Sequence, residues 1–425
     1  MIEKKNKLLE CKKNIWIFNH YVVTPDMTGG TRHYDLALEL ANQGNNLVLF
    51  ASSYNHFILK EMKDYIGKNY LIENISNIKI VWIKTTKYKK NNWKRILNMF
   101  VYSFRVIRAA KKLRKNSILE KPDIVMGSSV HLFAVLSALV VSRKNKAKFI
   151  MEVRDLWPAT LIEFRKISKY HPVIAVFYFL EKFLAKRAEK IITVLPGAKE
   201  YYVEKKIEKK KIIWIPNGIN YNNFKNLATE RFKLFEDKIS KDYFKVMYTG
   251  ALGLANNVET FLRAGKIIGQ KTNKIKLLII GEGERKKQLI NLKKKLNLNN
   301  VIFFDGIKKK DVPGVLFLAD IFWIGTKNVK NLYKYGFSFN KLFEYMASKR
   351  PIVFSVDAEY NPVKESGAGI VIEPENSQSL ADAILKLFYM SKTEREEIGI
   401  KGLKYVKDKH EWNILAKEFM KFVFE

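Results

Sequence analysis

An order of apolar strand, polar loop, amphipathic helix and apolar strand runs through this chain and then begins again near its middle. Asn14–Asn19 reads as a strand, a loop holding Gly29 and Gly30 follows, and Arg32–Gln43 carries apolar residues at helical spacing. Gly44 stops that helix, and Leu47–Ala51 is the next strand. The order returns in Asp123–Gly127 (strand), Leu132–Val141 (buried helix), Phe149–Val153 and Ile191–Leu195 (strands). Lys211–Ile215 leads into the turn Pro216-Asn217-Gly218, and Asn220–Lys241 reads as a linker with a charged helix. From Phe244 a second set begins. Strands at Lys245–Thr249, Ile275–Ile280, Val301–Phe304, Ile321–Ile324 and Pro351–Ser355 alternate with helices at Asn257–Ile268, Glu284–Leu296, Val312–Leu318 and Asn340–Ala347. A short strand at Ile370–Ile372, a helix at Leu380–Tyr389 and a helical tail over Glu394–Glu425 close the chain. Such alternation predicts parallel sheets with helices on both faces.

The length of 425 residues suits two such halves, and 47% hydrophobic residues supply their cores. The predicted fold is α/β, with two Rossmann-like, doubly wound parallel-sheet domains facing a cleft. The expected boundaries are 1–205, 206–395 and a helical segment, 396–425, that packs back on the first domain. Ligands of doubly wound sheets bind beyond the carboxyl ends of the strands, so the chemistry is expected in the loops that follow them.

Several classes are disfavoured by composition. One cysteine, Cys11, cannot form an internal disulfide, and no Cys/His cluster has metal-ligand spacing, so no metal is expected. The charged start, Met1–Lys13, does not resemble a signal peptide. The longest apolar runs, Leu132–Val141 and Val173–Leu180, are too short to span a bilayer as helices. A formal net charge of +35 directs attention to anionic partners: nucleic acid, anionic lipid or phosphorylated ligands. A general abundance of Lys and Asn, as AT-rich coding produces, accounts for part of it.

Five constellations can carry chemistry. Thr28-Gly29-Gly30-Thr31-Arg32 after the first strand lets backbone approach a ligand, and a helix start can face phosphate; a plain turn also fits. Tyr248-Thr249-Gly250-Ala251-Leu252-Gly253 and Gly281-Glu282-Gly283 each suit a phosphate-cradling loop or a tight turn. The latter lacks the third glycine of the dinucleotide fingerprint, which argues against a nicotinamide or flavin cofactor. In Ser338-Phe339-Asn340-Lys341-Leu342-Phe343-Glu344, Ser338 is placed to cap a helix whose first turn holds Asn340 and Lys341. Glu344 falls one turn after Asn340 on the same face. That arrangement suits a diphosphate at the helix start and a ribose one turn deeper; an ordinary capped amphipathic helix fits the periodicity equally. Glu152-Val153-Arg154-Asp155-Leu156-Trp157-Pro158 ends an apolar strand, where Asp155 can orient a hydroxyl or form a structural pair with Arg154. His131, after Gly127-Ser128-Ser129, also sits at a strand end, in a catalytic or a structural role.

Taken together these residues resemble family 4 glycosyltransferases of the GT-B fold, most of all the bacterial subgroup that builds O-antigen and capsule units and includes N-acetyl-L-fucosamine transferases. The likeness is co-linear through Asn19-His20-Tyr21, Gly29-Gly30 and Arg32, Glu152–Pro158, Ile215-Pro216-Asn217-Gly218, Tyr248–Asn256, Gly281–Gly283 and Ser338–Ala347. It implies a retaining, metal-independent hexosyltransferase using a nucleotide diphosphate-sugar, a UDP-sugar foremost, as substrate, with no cofactor. It further implies that Glu344 holds the ribose and that amides near Asn340, Lys341 and Leu342 meet the diphosphate. Gly29 and Gly30 would approach the same phosphates. Asn217, Gly250, Leu252, Gly253, Gly281, Gly283 and Ser338 complete the donor set, while Asp155, His131 and Arg154 face the transferred sugar or acceptor. Two departures stand out. The family's first glutamate falls at Gly336, and its Arg and Lys after the Tyr248–Gly250 strand are replaced near Ala251 and Asn256/Asn257. Arg154, Arg285, Lys334 and Lys341 are the candidates to neutralise the diphosphate.

Lys84–Lys115 holds twelve Lys or Arg and no Asp or Glu, with Trp93, Leu97, Phe100, Phe104 and Ile107 at helical spacing. His171–Lys190 repeats the theme. Both suit an anionic bilayer surface, and both suit core packing with a solvated face. The expectation is a cytoplasmic enzyme, peripheral on the inner face of a bacterial plasma membrane, acting on a polyprenyl-diphosphate-linked saccharide. A GT-B-fold UDP-sugar epimerase and a non-enzymatic polyanion binder are the alternatives; no nucleic-acid reader element is recognisable.

Overall fold

The structure is a computed structural model describing residues 12–56, 58–89, 92–165, 167–227, 240–329 and 333–425. Cys11 and most of the expected linker helix, residues 228–239, lie outside the described residues. The first lobe contains β1 (Asn14–Phe18), β2 (Asn46–Ser52), the two-residue strands β3 (Tyr54–Asn55) and β4 (Lys60–Glu61), β5 (Tyr70–Ile75), β6 (Ile78–Ile83), β7 (Ile124–Ser128), β8 (Lys148–Val153), β9 (Lys190–Thr193) and β10 (Ile212–Trp214). Eight of these form one sheet in the order β10-β9-β8-β7-β1-β2-β6-β5, and β3 pairs with β4. The second lobe contains β11 (Phe244–Thr249), β12 (Ile275–Ile280), β13 (Val301–Phe304), β14 (Ile321–Gly325), β15 (Ile352–Ser355) and β16 (Gly369–Val371), ordered β13-β12-β11-β14-β15-β16. Central strands are apolar along their whole length because both faces are covered by helices; Ile15, Trp16, Ile17 and Phe18 are all essentially inaccessible.

Three features differ from expectation. First, β5 pairs antiparallel with β6 at the sheet edge, through a turn at Ser76 with φ +52°. It is half-exposed and carries Glu73 and Asn74, so the segment lacks the continuous apolar run of a buried parallel strand. Second, β10 pairs with β9, extending the first lobe past residue 205. Third, the tail does not return at residue 396. The Lys392–Lys409 helix packs on the second lobe, against the Asn340–Ala347 and Pro362–Ser366 helices, and only Trp412–Phe424 packs on Arg32–Asn42 of the first. The crossing point is clamped to the hinge: the Ile219 amide donates to His410 O (2.8 Å), and the Trp412 amide donates to Ile219 O (3.1 Å).

Candidate active site

Loops from the carboxyl ends of both sheets enclose a cavity of about 290 Å³. Gly29, Gly30, Gly250, Gly281, Ser338, Asn340, Lys341 and Glu344 of the expected donor set line it, together with Lys309 and Glu282. The lobes meet across it. A Cβ on Gly30 would stand 2.1 Å from Asn340 Nδ2, so any other residue there displaces the Asn340 amide from its present place. The Lys309 amide donates to Met27 O (3.0 Å), and Lys310 pairs with Asp26 at 2.6 Å.

The Asn340–Ala347 helix points its start into this cavity. Ser338 does not cap it. Phe339 occupies the N-cap without a side-chain bond, and Ser338 instead accepts from Asn217 Nδ2 through Oγ (2.8 Å) and O (2.9 Å). Leu342 is buried in the core, and its amide donates to Phe339 O, so it does not offer a free N–H. Lys341 is the informative member. Its ammonium donates to Tyr248 Oη (3.0 Å) and Asn256 Oδ1 (3.2 Å), 4.1 Å from the Tyr248 ring centre. Burial lowers its pKa to about 7. No carboxylate pairs with it among the described residues. Of the other candidate cations, Arg285 pairs with Glu259 (2.5 Å) and Lys334 is exposed over Tyr335. Glu344, one turn below Asn340, pairs with Lys309, a residue that the sequence did not single out.

Leu252, Gly253, Gly283 and Asn217 do not line the cavity. Leu252 packs in the core, its amide donating to Glu282 O (2.8 Å), and Gly283 contacts its backbone. Gly253 begins a short 3-10 turn. Asn217 is a buried hinge residue. Besides holding Ser338, it accepts from Arg32 Nη1 (3.3 Å), and its carbonyl is bonded to His410 Nδ1 (3.0 Å). Arg32 also donates to Ile215 O (2.9 Å) and Glu152 Oε1 (2.8 Å). Glu152 is bonded to His33 as well. Burial pushes the Glu152 carboxyl up, but His33 and Arg32 outweigh it and hold its pKa well below the usual range. Gly336, where the family carries a glutamate, has φ +88° and its Cβ position lies 2.5 Å from Pro196 Cγ, so the first lobe leaves no room for a side chain.

The three catalytic candidates lie at the ends of β7 and β8. His131 caps the Leu132–Asn145 helix: Nδ1 accepts from the Ala134 amide (3.2 Å), which makes Nε2 the protonated nitrogen, and Nε2 is bonded to His20 Nδ1 at 2.8 Å. Burial, reinforced by Arg95, lowers its pKa to about 3. Both ring nitrogens are engaged, so His131 is a cap rather than a base. Solvent reaches Asp155, yet the surrounding walls raise its pKa against the opposing charge of Arg154. Asp155 also acts electrostatically on Tyr333 of the second lobe, which places it on the cleft. The Arg154 amide donates to Ser129 Oγ (3.0 Å).

Many of the first lobe's exposed apolar residues lie on two helices that both pack on the Leu132–Asn145 helix. The helix within Lys84–Lys115 begins only at Trp93, capped by Asn92. Trp93, Ile96, Leu97, Phe100 and Phe104 are exposed on it, and Val173, Val176 and Phe179 on the Pro172–Arg187 helix. Phe133 joins the two, 4.4 Å from Phe100 and 5.9 Å from Phe177 between ring centres. No helix among the described residues is long and apolar enough to cross a membrane.

Comparison with known proteins agrees with this architecture. Residues 29–223 match the family described as Glycosyltransferase Family 4, and residues 230–404 match Glycosyl transferases group 1. An uncharacterised glycosyltransferase of Methanocaldococcus jannaschii is 27% identical over 242 residues, covering 54% of this chain and 58% of that protein. The capsular polysaccharide biosynthesis glycosyltransferase CapM of Staphylococcus aureus is 24% identical over 70% of this chain and 76% of its own length. Sucrose-phosphate synthase from Thermosynechococcus elongatus superposes with a TM-score of 0.73 at 16% identity, covering 96% of this chain and 97% of that one. HepE of Anabaena, solved with UDP and glucose, superposes with a TM-score of 0.66 at 12% identity over 96% and 98%. The chain thus has the GT-B fold, its first lobe matched by the family 4 glycosyltransferase model and its second by the group 1 model.

Proposed function

We propose that the protein transfers a hexose from a UDP-sugar, with retention and without a metal, to a lipid-linked or growing saccharide acceptor in capsule or O-antigen assembly. The observation that carries the donor side is Lys341: a half-buried cation without a carboxylate at a helix start, facing a cavity lined by glycines, is completed by an anion. The diphosphate takes that place, and Glu344, shared with Lys309, accepts the ribose hydroxyls. HepE, whose structure holds UDP and glucose, and CapM, a capsular enzyme, support the choice of nucleotide and pathway class. In the reaction the bond from the anomeric carbon to the donor phosphate oxygen breaks. The acceptor oxygen bonds to the same face of that carbon, and its proton passes to the departing phosphate. Asp155 orients the acceptor hydroxyl. The exposed aromatic and basic faces around Trp93 and Phe179 rest on anionic lipid at the inner face of the plasma membrane.

Thermal stabilisation by a panel of UDP-, GDP- and dTDP-sugars tests the donor site, since ligand bound to the native state raises Tm. One nucleotide class is expected to stabilise the wild type, with the shift lost in Glu344→Ala and Lys341→Ala. A panel that leaves the wild type unmoved would remove the transferase assignment.

A further inference from the structure

The eight-stranded sheet ends at β5, and among the described residues no strand pairs with its outer side. The register with β6, continued by the bond from the Lys84 amide to Asn69 O (3.0 Å), fixes which backbone groups are engaged. Along an antiparallel strand, residues bonded to the neighbour alternate with residues that are not. Leu71, Glu73 and Ile75 therefore bond to β6, and the N–H and C=O groups of Tyr70, Ile72 and Asn74 point outward. Native edges are commonly blunted by a lysine, a proline or a bulge, and Tyr70–Ile75 has none of these. Its one carboxylate is engaged on the opposite face from Tyr70, where Glu73 accepts from Trp82 Nε1 (2.7 Å) and Lys63 Nζ (2.8 Å).

Beside this edge runs a groove of about 1090 Å³, against about 290 Å³ for the donor cavity. Its second wall is the Trp93–Lys115 helix. Tyr70, Ile72 and Asn74 share the helix side of the strand, where Tyr70 packs against the cluster that holds Val106 and Ala109. Lys68, Arg105, Arg108 and Lys112 line the groove with no Asp or Glu, and no carboxylate pairs with any of them among the described residues. Two of the four are held in place. Arg105 Nη1 donates to Lys84 O (2.8 Å), and the Arg108 guanidinium lies 3.9 Å over the centre of the Phe104 ring. Trp93, Ile96 and Leu97 do not line the groove, which sets it apart from the lipid-facing strip around Trp93.

We propose that this groove docks an extended acidic segment of a partner protein, which adds to β5 as a further strand. Its backbone bonds to the outward groups of Tyr70, Ile72 and Asn74, and the carboxylates on its alternate side chains meet Arg105, Arg108 and Lys112. The two features together choose the occupant. An open edge selects peptide backbone, which neither a bilayer nor a nucleic acid supplies, and four cations without a carboxylate select negative charge. A second copy of this chain docked edge to edge would set Arg108 and Lys112 against their own counterparts, so the partner is a different protein. The groove lies outside the donor cavity, and the proposal does not depend on the transferase reading.

Fluorescence anisotropy of the full chain with a labelled octapeptide of alternating Val and Glu tests it. The controls are an octapeptide of alternating Val and Lys, and the acidic peptide N-methylated at every amide, which keeps the charge and loses the N–H donors. The acidic peptide should bind saturably and both controls at least tenfold more weakly. Ile72→Pro removes an outward N–H while leaving the bonds to β6, and should weaken binding at least fivefold. Arg108→Glu combined with Lys112→Glu, both at exposed positions, should weaken it at least tenfold. Absence of saturable binding below about 1 mM would overturn the proposal. An N-methylated peptide within twofold of its parent would reduce the groove to a charged surface and overturn it as well. Phosphatidylglycerol vesicles or oligothymidylate losing more affinity than the peptide in the charge-reversed variant would assign the groove to lipid or nucleic acid instead. A wild-type dimer in sedimentation that Ile72→Pro dissolves would assign the edge to a second copy, again against the proposal. Should Ile72→Pro fail to fold, the charge-reversed variant and the N-methylated peptide decide on the same readout.

Discussion

The Lys341 ammonium stands 3.0 Å from the hydroxyl of Tyr248 and 4.1 Å from the centre of its ring, across the gap between the Asn340–Ala347 helix and β11. Tyr248 Oη in turn donates to Ala251 O at 2.7 Å, so the hydroxyl accepts from Lys341 and the chain of bonds has one direction. Tyrosine and asparagine thus hold a cation in place without cancelling its charge. On the proposed donor reading this keeps a positive site ready for a diphosphate, because the desolvation is met during folding rather than at binding.

Removing this ammonium should separate binding from folding. Lys341→Met is expected to raise the donor KM by about thirtyfold to a hundredfold, equivalent to roughly 2–3 kcal/mol of lost charge-assisted binding. The Tm of the ligand-free protein should stay level or rise, since a half-buried charge without a carboxylate is replaced by an apolar chain. Steady-state kinetics and differential scanning calorimetry read the two effects. A fall in Tm with KM unchanged would make Lys341 a structural residue.

The same lysine predicts a pH dependence. Its pKa is lowered to about 7 in the free protein and should rise when an anion arrives. Donor binding therefore takes up a proton, and affinity falls as pH rises above 7, by about fivefold between pH 7 and 8. For ligand-free stability the sign is opposite. The unfolded chain binds the proton more tightly, so this group's contribution improves as pH rises from about 7 toward the ordinary lysine value. Titration of a nucleotide sugar at pH 6, 7 and 8 checks the first statement, and Lys341→Met should flatten the trend.

Arg32 and Glu152, 2.8 Å apart and almost inaccessible, join the first lobe to the hinge. Arg32→Met leaves a buried carboxylate bonded to His33, with Arg154 as a further charge acting on it, and breaks the bonds to Ile215 O and Asn217. Destabilisation of about 3–5 kcal/mol is expected. Because the Glu152 pKa is depressed, its contribution is complete above the ordinary value of 4.5 and is lost as pH falls toward the folded pKa. Glu152→Gln should therefore lose stability at pH 7 and show a smaller further loss on acidification to pH 4 than the wild type, measured by urea unfolding.

Most of the architecture was legible because the central strands are buried on both faces. A parallel strand in that position is a continuous apolar run bounded by turn residues, and Ile275–Ile280 and Ile321–Gly325 fall where the runs do. The β5 strand was not legible, since an edge strand with Glu73 and Asn74 on it has no such run. Within the candidate site, Asn340, Lys341 and Glu344 were grouped by helical spacing alone, which survives folding unchanged. Lys309 was not grouped with them, because its place beside Glu344 depends on the loop after β13 folding over the cavity. The Arg32–Glu152 pair spans 120 positions, a separation at which sequence carries no signal without a partner to compare. His131 did carry a signal: it directly precedes an apolar helix and so occupies the N-cap position, where a side-chain acceptor is preferred.

Closure of the two lobes should depend on the missing side chain at Gly30. Its Cβ position lies 2.1 Å from Asn340 Nδ2, inside any permitted contact, whereas the backbone there is not left-handed and alanine itself causes no strain. Gly30→Ala should thus leave Tm within a few degrees of wild type and lower kcat/KM for transfer by about thirtyfold or more, roughly 2 kcal/mol of lost transition-state stabilisation. Asn340→Ala shortens the opposing side chain, so the double variant should recover much of the loss even if Asn340→Ala alone is slow. Coupling of that sign in a double-mutant cycle is the signature of two lobes that must touch. Equal activity of Gly30→Ala and wild type would show that transfer proceeds with the lobes apart.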